Sequence, residues 1–176
     1  MPVEAPVTTA RGRGGQLAAA AAAASGEWLF FLHADTQPQP GWSVEVARFI
    51  ADPANREHAG YLAYRLDDAA PGARRLERIV AWRSRALGLP YGDQGLVIAH
   101  TFYEALGGIP ALPLMEDVAF VRRVGRRRLV ALATGALTSA ERYRRGGYLW
   151  RPLRNLGCLT LYLLGVPPRL ILRLYG

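Results

Sequence analysis

Trp28-Leu29-Phe30-Phe31-Leu32-His33-Ala34-Asp35 is the stretch on which the fold turns. Five large apolar residues in a row, without alternation, suit a strand covered on both faces, as in a mostly parallel sheet flanked by helices. His33-Ala34-Asp35 then stands at the carboxyl end of a buried strand, where open α/β sheets bind ligands, and Thr36-Gln37-Pro38-Gln39-Pro40-Gly41 reads as the loop beyond it. A short carboxylate in that place can hold a divalent cation whose other positions take diphosphate oxygens and water. These residues alone equally allow a plainer reading, in which Asp35 caps a turn and His33 satisfies a backbone carbonyl.

Working outward, Gln16 to Ala24 reads as an alanine-rich helix entered from a glycine turn and stopped at Ser25-Gly26. After the loop, Trp42, Val46, Phe49 and Ile50 recur at helical spacing up to Asp52-Pro53. His58 to Leu66 reads as a strand, Ala73 to Leu87 as an amphipathic helix, Leu96 to Ala99 as a short strand and Thr101 to Leu106 as a brief helix. Glu116 to Val124 is a further helix and Leu129 to Ala133 a further strand. From Gly147 onward, Leu149, Leu153, Leu156 and Leu163 form a helical stripe. Two readings of that C-terminal segment stand side by side: a helix lying in a membrane interface, and a helix packed on the sheet or on a second copy.

A chain of 176 residues with 51% hydrophobic content can bury one substantial core, so a single domain is expected. The one cysteine, Cys158, excludes an internal disulfide framework, and no His/Cys cluster has zinc-site spacing. Neither a signal peptide nor a run long enough to cross a bilayer is visible, which points to a cytoplasmic protein, soluble or peripheral at the inner face of the membrane.

All 22 basic residues are arginine. Residues 1–117 carry 10 arginines and 13 acids, net −3, whereas the rest carries 12 arginines and Glu141 alone, net +11. That basic end suits an anionic lipid surface or a diphosphate; nucleic acid is disfavoured, because no recognisable nucleic-acid module accompanies the charge.

Four blocks in order carry a resemblance: Gly12-Arg13-Gly14-Gly15-Gln16, His33-Ala34-Asp35-Thr36, Tyr91-Gly92-Asp93-Gln94-Gly95, and Glu116-Asp117 after Pro113-Leu114-Met115. Together they resemble family 2 glycosyltransferases, more narrowly the bacterial subgroup named radical-SAM/selenodomain-associated transferase 2, from about Arg11 to Tyr175. The resemblance implies a GT-A type fold, N-terminally truncated relative to the family. Met1 to Ala10 is an unmatched leader without the family's Pro-x-x-Asn-Glu-like loop or Asp-Gly-Gly-Ser-like turn. The expected causes are a start assigned too far downstream or a natural remnant, and a sheet short of two strands would favour association into oligomers.

The resemblance further implies metal-assisted, inverting transfer of a sugar from a nucleotide-sugar donor to an acceptor hydroxyl. By their match to the family's acidic pair, Asp117 is the candidate base and Glu116 positions it or the acceptor. Asp35 corresponds to the last Asp of an Asp-x-Asp-like metal motif, with His33 in place of the first. His33 there is a ligand, a partner that holds a ligand, or a donor to a phosphate; as a ligand, an imidazole favours Mn²⁺ over Mg²⁺. Arg13 is expected at the donor phosphates, with Arg142, Arg144 and Arg145 as a second diphosphate clamp or a solvated charge run. Tyr91, Asp93 and Gln94 sit in a glycine loop suited to acceptor hydroxyls. The competing expectation is a non-catalytic remnant of the same fold that binds a partner or a membrane surface.

Overall fold

In a computed structural model the described residues are 12–175, so the leader at 1–10 lies outside them. Their order is α1 (Arg13–Ala23), β1 (Trp28–Phe31), β2 (Thr36–Pro38), α2 (Trp42–Ala51), β3 (Ala59–Leu66), α3 (Pro71–Leu87), β4 (Leu96–Ala99), α4 (His100–Ala105), α5 (Glu116–Val124), β5 (Leu129–Thr138), α6 (Glu141–Gly146), α7 (Trp150–Leu163) and α8 (Pro168–Tyr175).

The strands form one sheet in the order β1-β4-β3-β5-β2. Only β3 and β5 run parallel; β1 with β4, β4 with β3, and β2 with β5 are antiparallel. The expectation of a mostly parallel sheet is therefore corrected: the sheet is mixed. An apolar run reports cover on both faces and is silent about the direction of its neighbours. Cover is indeed present on both faces of β1. Phe30 packs on Trp42 with centroids 5.4 Å apart, while Phe31 meets Tyr103 at 5.5 Å on the opposite side.

Two further departures shape the site. Thr36–Pro38, expected as loop, forms the edge strand β2, tied to the end of β5 by a 3.0 Å hydrogen bond between the Thr36 and Thr138 hydroxyls. β5 runs to Thr138 instead of ending at Ala133, because its second half is held between β3 and β2. A register shift between Tyr61 and Ala63 bends this pair as a bulge does.

The C-terminal helices divide their faces. Cys158 and Leu159 of α7 and Ile171 of α8 are buried against Leu89, Val118 and Val121. The Leu149, Leu153, Leu156 and Leu163 stripe instead stays 47–65% exposed. Among the described residues no helix is long and apolar enough to cross a membrane.

Candidate active site

A cavity of about 180 Å³ opens where β1, the loop before the 3-10 turn Gly92–Gln94, and the start of α5 converge. Arg13, His33, Asp35, Asp93, Glu116 and Asp117, from four separate stretches of sequence, all line it.

Backbone geometry places the acidic pair. Met115, immediately before α5, adopts φ 63° and ψ 20°, the one positive φ outside glycine among the described residues. A side chain in that conformation is strained by about 1–3 kcal/mol, and packing must hold it there. Met115 is buried with Val118 and Val121, which supplies that hold. The reversal turns Glu116 inward to 2% exposure, whereas the Asp117 side chain keeps 21% at the cavity wall. Gly92 N–H donates to Asp117 Oδ2 at 3.0 Å and Val118 N–H to Oδ1 at 2.8 Å, so the carboxylate is fixed from two sides.

Arg13 ties α1 to this pair. Its Nε lies 3.0 Å from Glu116 Oε1 and its Nη2 3.9 Å from Asp117 Oδ2. The neighbouring residue makes that approach feasible: a Cβ on Gly14 would stand 2.9 Å from the Leu112 carbonyl oxygen, so only glycine lets α1 sit this close to the segment before α5. At Gly92 the obstacle is softer, since a Cβ there would meet the Arg13 guanidinium, the movable end of a long side chain, and displace it.

Burial, and next the Asp117 charge, push the Glu116 carboxyl above the usual carboxylate range, with Arg13 pulling the other way. Burial also raises Asp93, opposed by Arg83 and reinforced by Asp117. Asp93 Oδ1 is buried without a hydrogen-bond partner.

Gln94 is placed differently from the expectation that it faces acceptor hydroxyls. It is 1% exposed and its amide is consumed inside the protein. Its Oε1 accepts from Ser84 Oγ at 2.8 Å, and its Nε2 donates to the Leu62 carbonyl at 3.2 Å. Tyr91 lines the cavity under the Arg83 guanidinium, 3.4 Å from its ring centroid. The glycine loop thus brings Tyr91 and Asp93 to the cavity and uses Gln94 as an internal staple.

The C-terminal arginines are not brought to the cavity together. Arg144 bonds Asp67 Oδ1 at 3.2 Å and Asp68 Oδ2 at 3.1 Å, and Arg145 pairs with Glu141 one helical turn away at 2.5 Å. The Arg142 side chain lies outside the described residues. Arg151, in the sequence one member of the basic run that suits a diphosphate, lines the cavity instead. Its only prior signal is its place in the basic run, because the turn that delivers it depends on α6 and α7 folding as they do.

The Arg144 network has its own consequence. The Tyr148 hydroxyl donates to Asp68 Oδ2 at 2.6 Å; together with the Ala70 N–H and Arg144 it holds Asp68 down to about 2, from an ordinary 3.8. A depressed carboxylate contributes stability that is present above its ordinary value and lost as pH falls towards the folded one. Tyr148→Phe is therefore expected to lower the Tm at neutral pH, with the gap to the wild type closing between about pH 5 and about pH 2. Thermal melts across that range check this; a gap independent of pH would assign the loss to packing alone.

For a cation, the donor set is Asp35 and His33. They share one turn, with His33 Nδ1 in short contact with Asp35 Oδ1 and Thr36 Oγ1 donating to the same oxygen at 3.4 Å. No group of three His, Cys, Asp or Glu with metal-site geometry occurs among the described residues. These two side chains, already in contact with each other, could supply at most two of a cation's ligands, the rest coming from phosphate and water.

A mixed sheet with helices, bearing a carboxylate cavity at its strand ends, fits a GT-A-like transferase fold. The family model described as glycosyl transferase family 2 matches residues 7–89, which hold Arg13, His33 and Asp35; Asp93, Glu116 and Asp117 lie beyond it. Over that stretch, a little under half of the chain, the sequence is similar to that family. No curated protein and no solved structure matches the chain.

Proposed function

We propose that this chain is an inverting glycosyltransferase with Asp117 as its base. The observation that carries the reading is the convergence of Arg13, His33, Asp35, Glu116 and Asp117 on one cavity, although up to 104 positions separate them in sequence. Inversion needs a base on the acceptor side and positive charge at the departing diphosphate, and those groups are of the right kinds.

In this reading the acceptor hydroxyl lies against the Asp117 carboxylate. As its oxygen bonds to the anomeric carbon, its proton passes to Asp117, and the bond to the diphosphate breaks with the electron pair leaving on the diphosphate oxygen. Gly92 N–H and Val118 N–H keep the carboxylate aimed throughout. Glu116, buried and held by the Arg13 guanidinium, positions Asp117 or the acceptor. Arg13 and Arg151 supply fixed positive charge to the diphosphate. A divalent cation held by Asp35 and His33 would add the charge that a leaving diphosphate needs.

The test is donor binding and turnover across a panel of uridine, guanosine and thymidine diphosphate sugars. Asp35→Ala is expected to weaken Mn²⁺-dependent binding of the donor by at least the roughly 10–100-fold that outer ligand partners alone cost. Titration calorimetry with and without Mn²⁺ reads it. Equal affinity in the two proteins would remove the metal role, and a folded chain that binds no nucleotide sugar would remove the transferase reading.

A further inference from the structure

A second space, about 480 Å³ in volume, opens beside the carboxylate cavity between α3 and α7. This size lies within the range of small-molecule sites. Its walls are apolar: Leu76, Ile79 and Val80 of α3 face Leu153, Leu156 and Leu159 of α7. Ile79, Leu153 and Leu156 remain 53, 47 and 56% exposed, so the two helices present apolar side chains to one channel without closing it. At its inner end the groove shares Tyr64, Tyr91, Asp93, Tyr143 and Asn155 with the carboxylate cavity. The two spaces adjoin across these five residues, the one polar and the other mainly apolar.

We infer that the acceptor is an amphiphile, with a hydroxyl-bearing head at Asp117 and one aliphatic or isoprenoid chain in the α3–α7 groove. This rests on the reading of Asp117 as the base of a sugar transfer. A sugar chain extending the same way would lose water along leucine and isoleucine walls that offer it no hydrogen bonds. An alkyl chain displaces that water and needs no polar partner. Polar capacity is concentrated at the junction, where Asp93 Oδ1 and Asn155 Oδ1 are both buried without a hydrogen-bond partner, two unmet acceptors beside the place the head would occupy. Two arginines of α3 also border the groove, Arg75 and Arg83, the latter engaged by the Tyr91 ring and the Leu89 carbonyl at 2.9 Å, whereas the α7 residues that line it carry no charge.

The probes are hexyl, octyl and decyl glucoside, each below its micelle concentration, titrated into the full chain. Affinity is expected to rise by about fourfold for each methylene buried. Leu153→Gln and Ile79→Gln, both on exposed positions that the fold tolerates, are expected to flatten that rise while nucleotide-sugar binding stays as in the wild type. Binding independent of chain length, or a wild-type slope in both variants, overturns the inference. So does a wild-type dimer that becomes monomeric in Leu153→Gln, because the groove then belongs to a second copy. Nucleotide-sugar binding without chain-length dependence overturns this inference alone; chain-length dependence without nucleotide-sugar binding overturns the transferase reading, and the acceptor role with it.

Discussion

Asp117→Asn is expected to cut turnover by about 10²–10⁴-fold, the range that a positioned general base supplies, while donor binding stays at wild-type strength. The substitution keeps volume and shape and removes the basic oxygen. A proton transfer made only in the transition state lowers kcat and kcat/KM together, which separates this loss from a loss of binding. One side effect follows from the structure. Asp117 accepts from both the Gly92 and Val118 N–H groups, whereas an asparagine has a single acceptor oxygen. One N–H is left without its partner, at a cost of about 1–3 kcal/mol if it stays buried. A urea titration of the variant therefore accompanies the kinetics, and intact turnover in a folded Asp117→Asn protein would move the base to another group.

Gln94→Leu is expected to damage stability and activity together. The leucine fits the volume but satisfies none of the groups that converge on the amide. Without it the Leu62 carbonyl loses its donor, while Ser84 Oγ falls back on the Val80 carbonyl at 2.9 Å. Each buried polar group left unpaired costs about 1–3 kcal/mol, a sizeable part of the ~5–15 kcal/mol that holds a domain folded. The loop above also loses its anchor, because Oε1 lies 3.4 Å from the Tyr91 N–H, and Gly92 next to it orients Asp117. A lower urea midpoint with reduced kcat is the expected pair of results; full activity at reduced stability would show that the Gly92 contact with Asp117 does not depend on the staple.

How much of this was legible in the sequence depends on the range of the forces concerned. Leu96–Ala99 and Glu116–Val124 form where the sequence places them, because an apolar run and an amphipathic period are local signals. Strand direction is not local. Trp28–Phe31 reads the same beside a parallel or an antiparallel neighbour, and the choice falls to β4 arriving from 65 positions away. The second half of β5, with Thr134 and Gly135, has no strand signature of its own and is extended by the strands that bracket it.

The site divides along the same line. Acidic side chains beside glycine turns and at a helix start are visible as residue types at characteristic places, and Asp35, Asp93, Glu116 and Asp117 do reach one cavity. Arg13 does reach that cavity, but the C-terminal arginines were not legible, because a guanidinium on a long stem goes to whichever carboxylate the tertiary fold brings near it. Arg144 finds Asp67 and Asp68 across more than 70 positions, and Arg151 is left facing the cavity. Gln94 shows the converse: an amide suited to a ligand is used up by Ser84 and Leu62, a fate that no pattern in Tyr91-Gly92-Asp93-Gln94 could announce.

The α7 stripe shows how a periodic signal can be read correctly and still leave its use open. Leucines at helical spacing imply an apolar face that something covers. In the structure Cys158 and Leu159 of α7 make the core contact, and Leu149, Leu153 and Leu156 of the stripe border the groove beside the carboxylate cavity.

Whether this cavity moves a sugar with inversion is the deciding question. Proton NMR of the purified chain with Mn²⁺ and an α-linked nucleotide sugar, water serving as the acceptor, follows donor loss and the anomeric configuration of the first-formed product at once. The expected result is β product appearing in step with nucleoside diphosphate, and neither appearing with Asp117→Asn; α product formed first, or turnover undiminished in the variant, would contradict it.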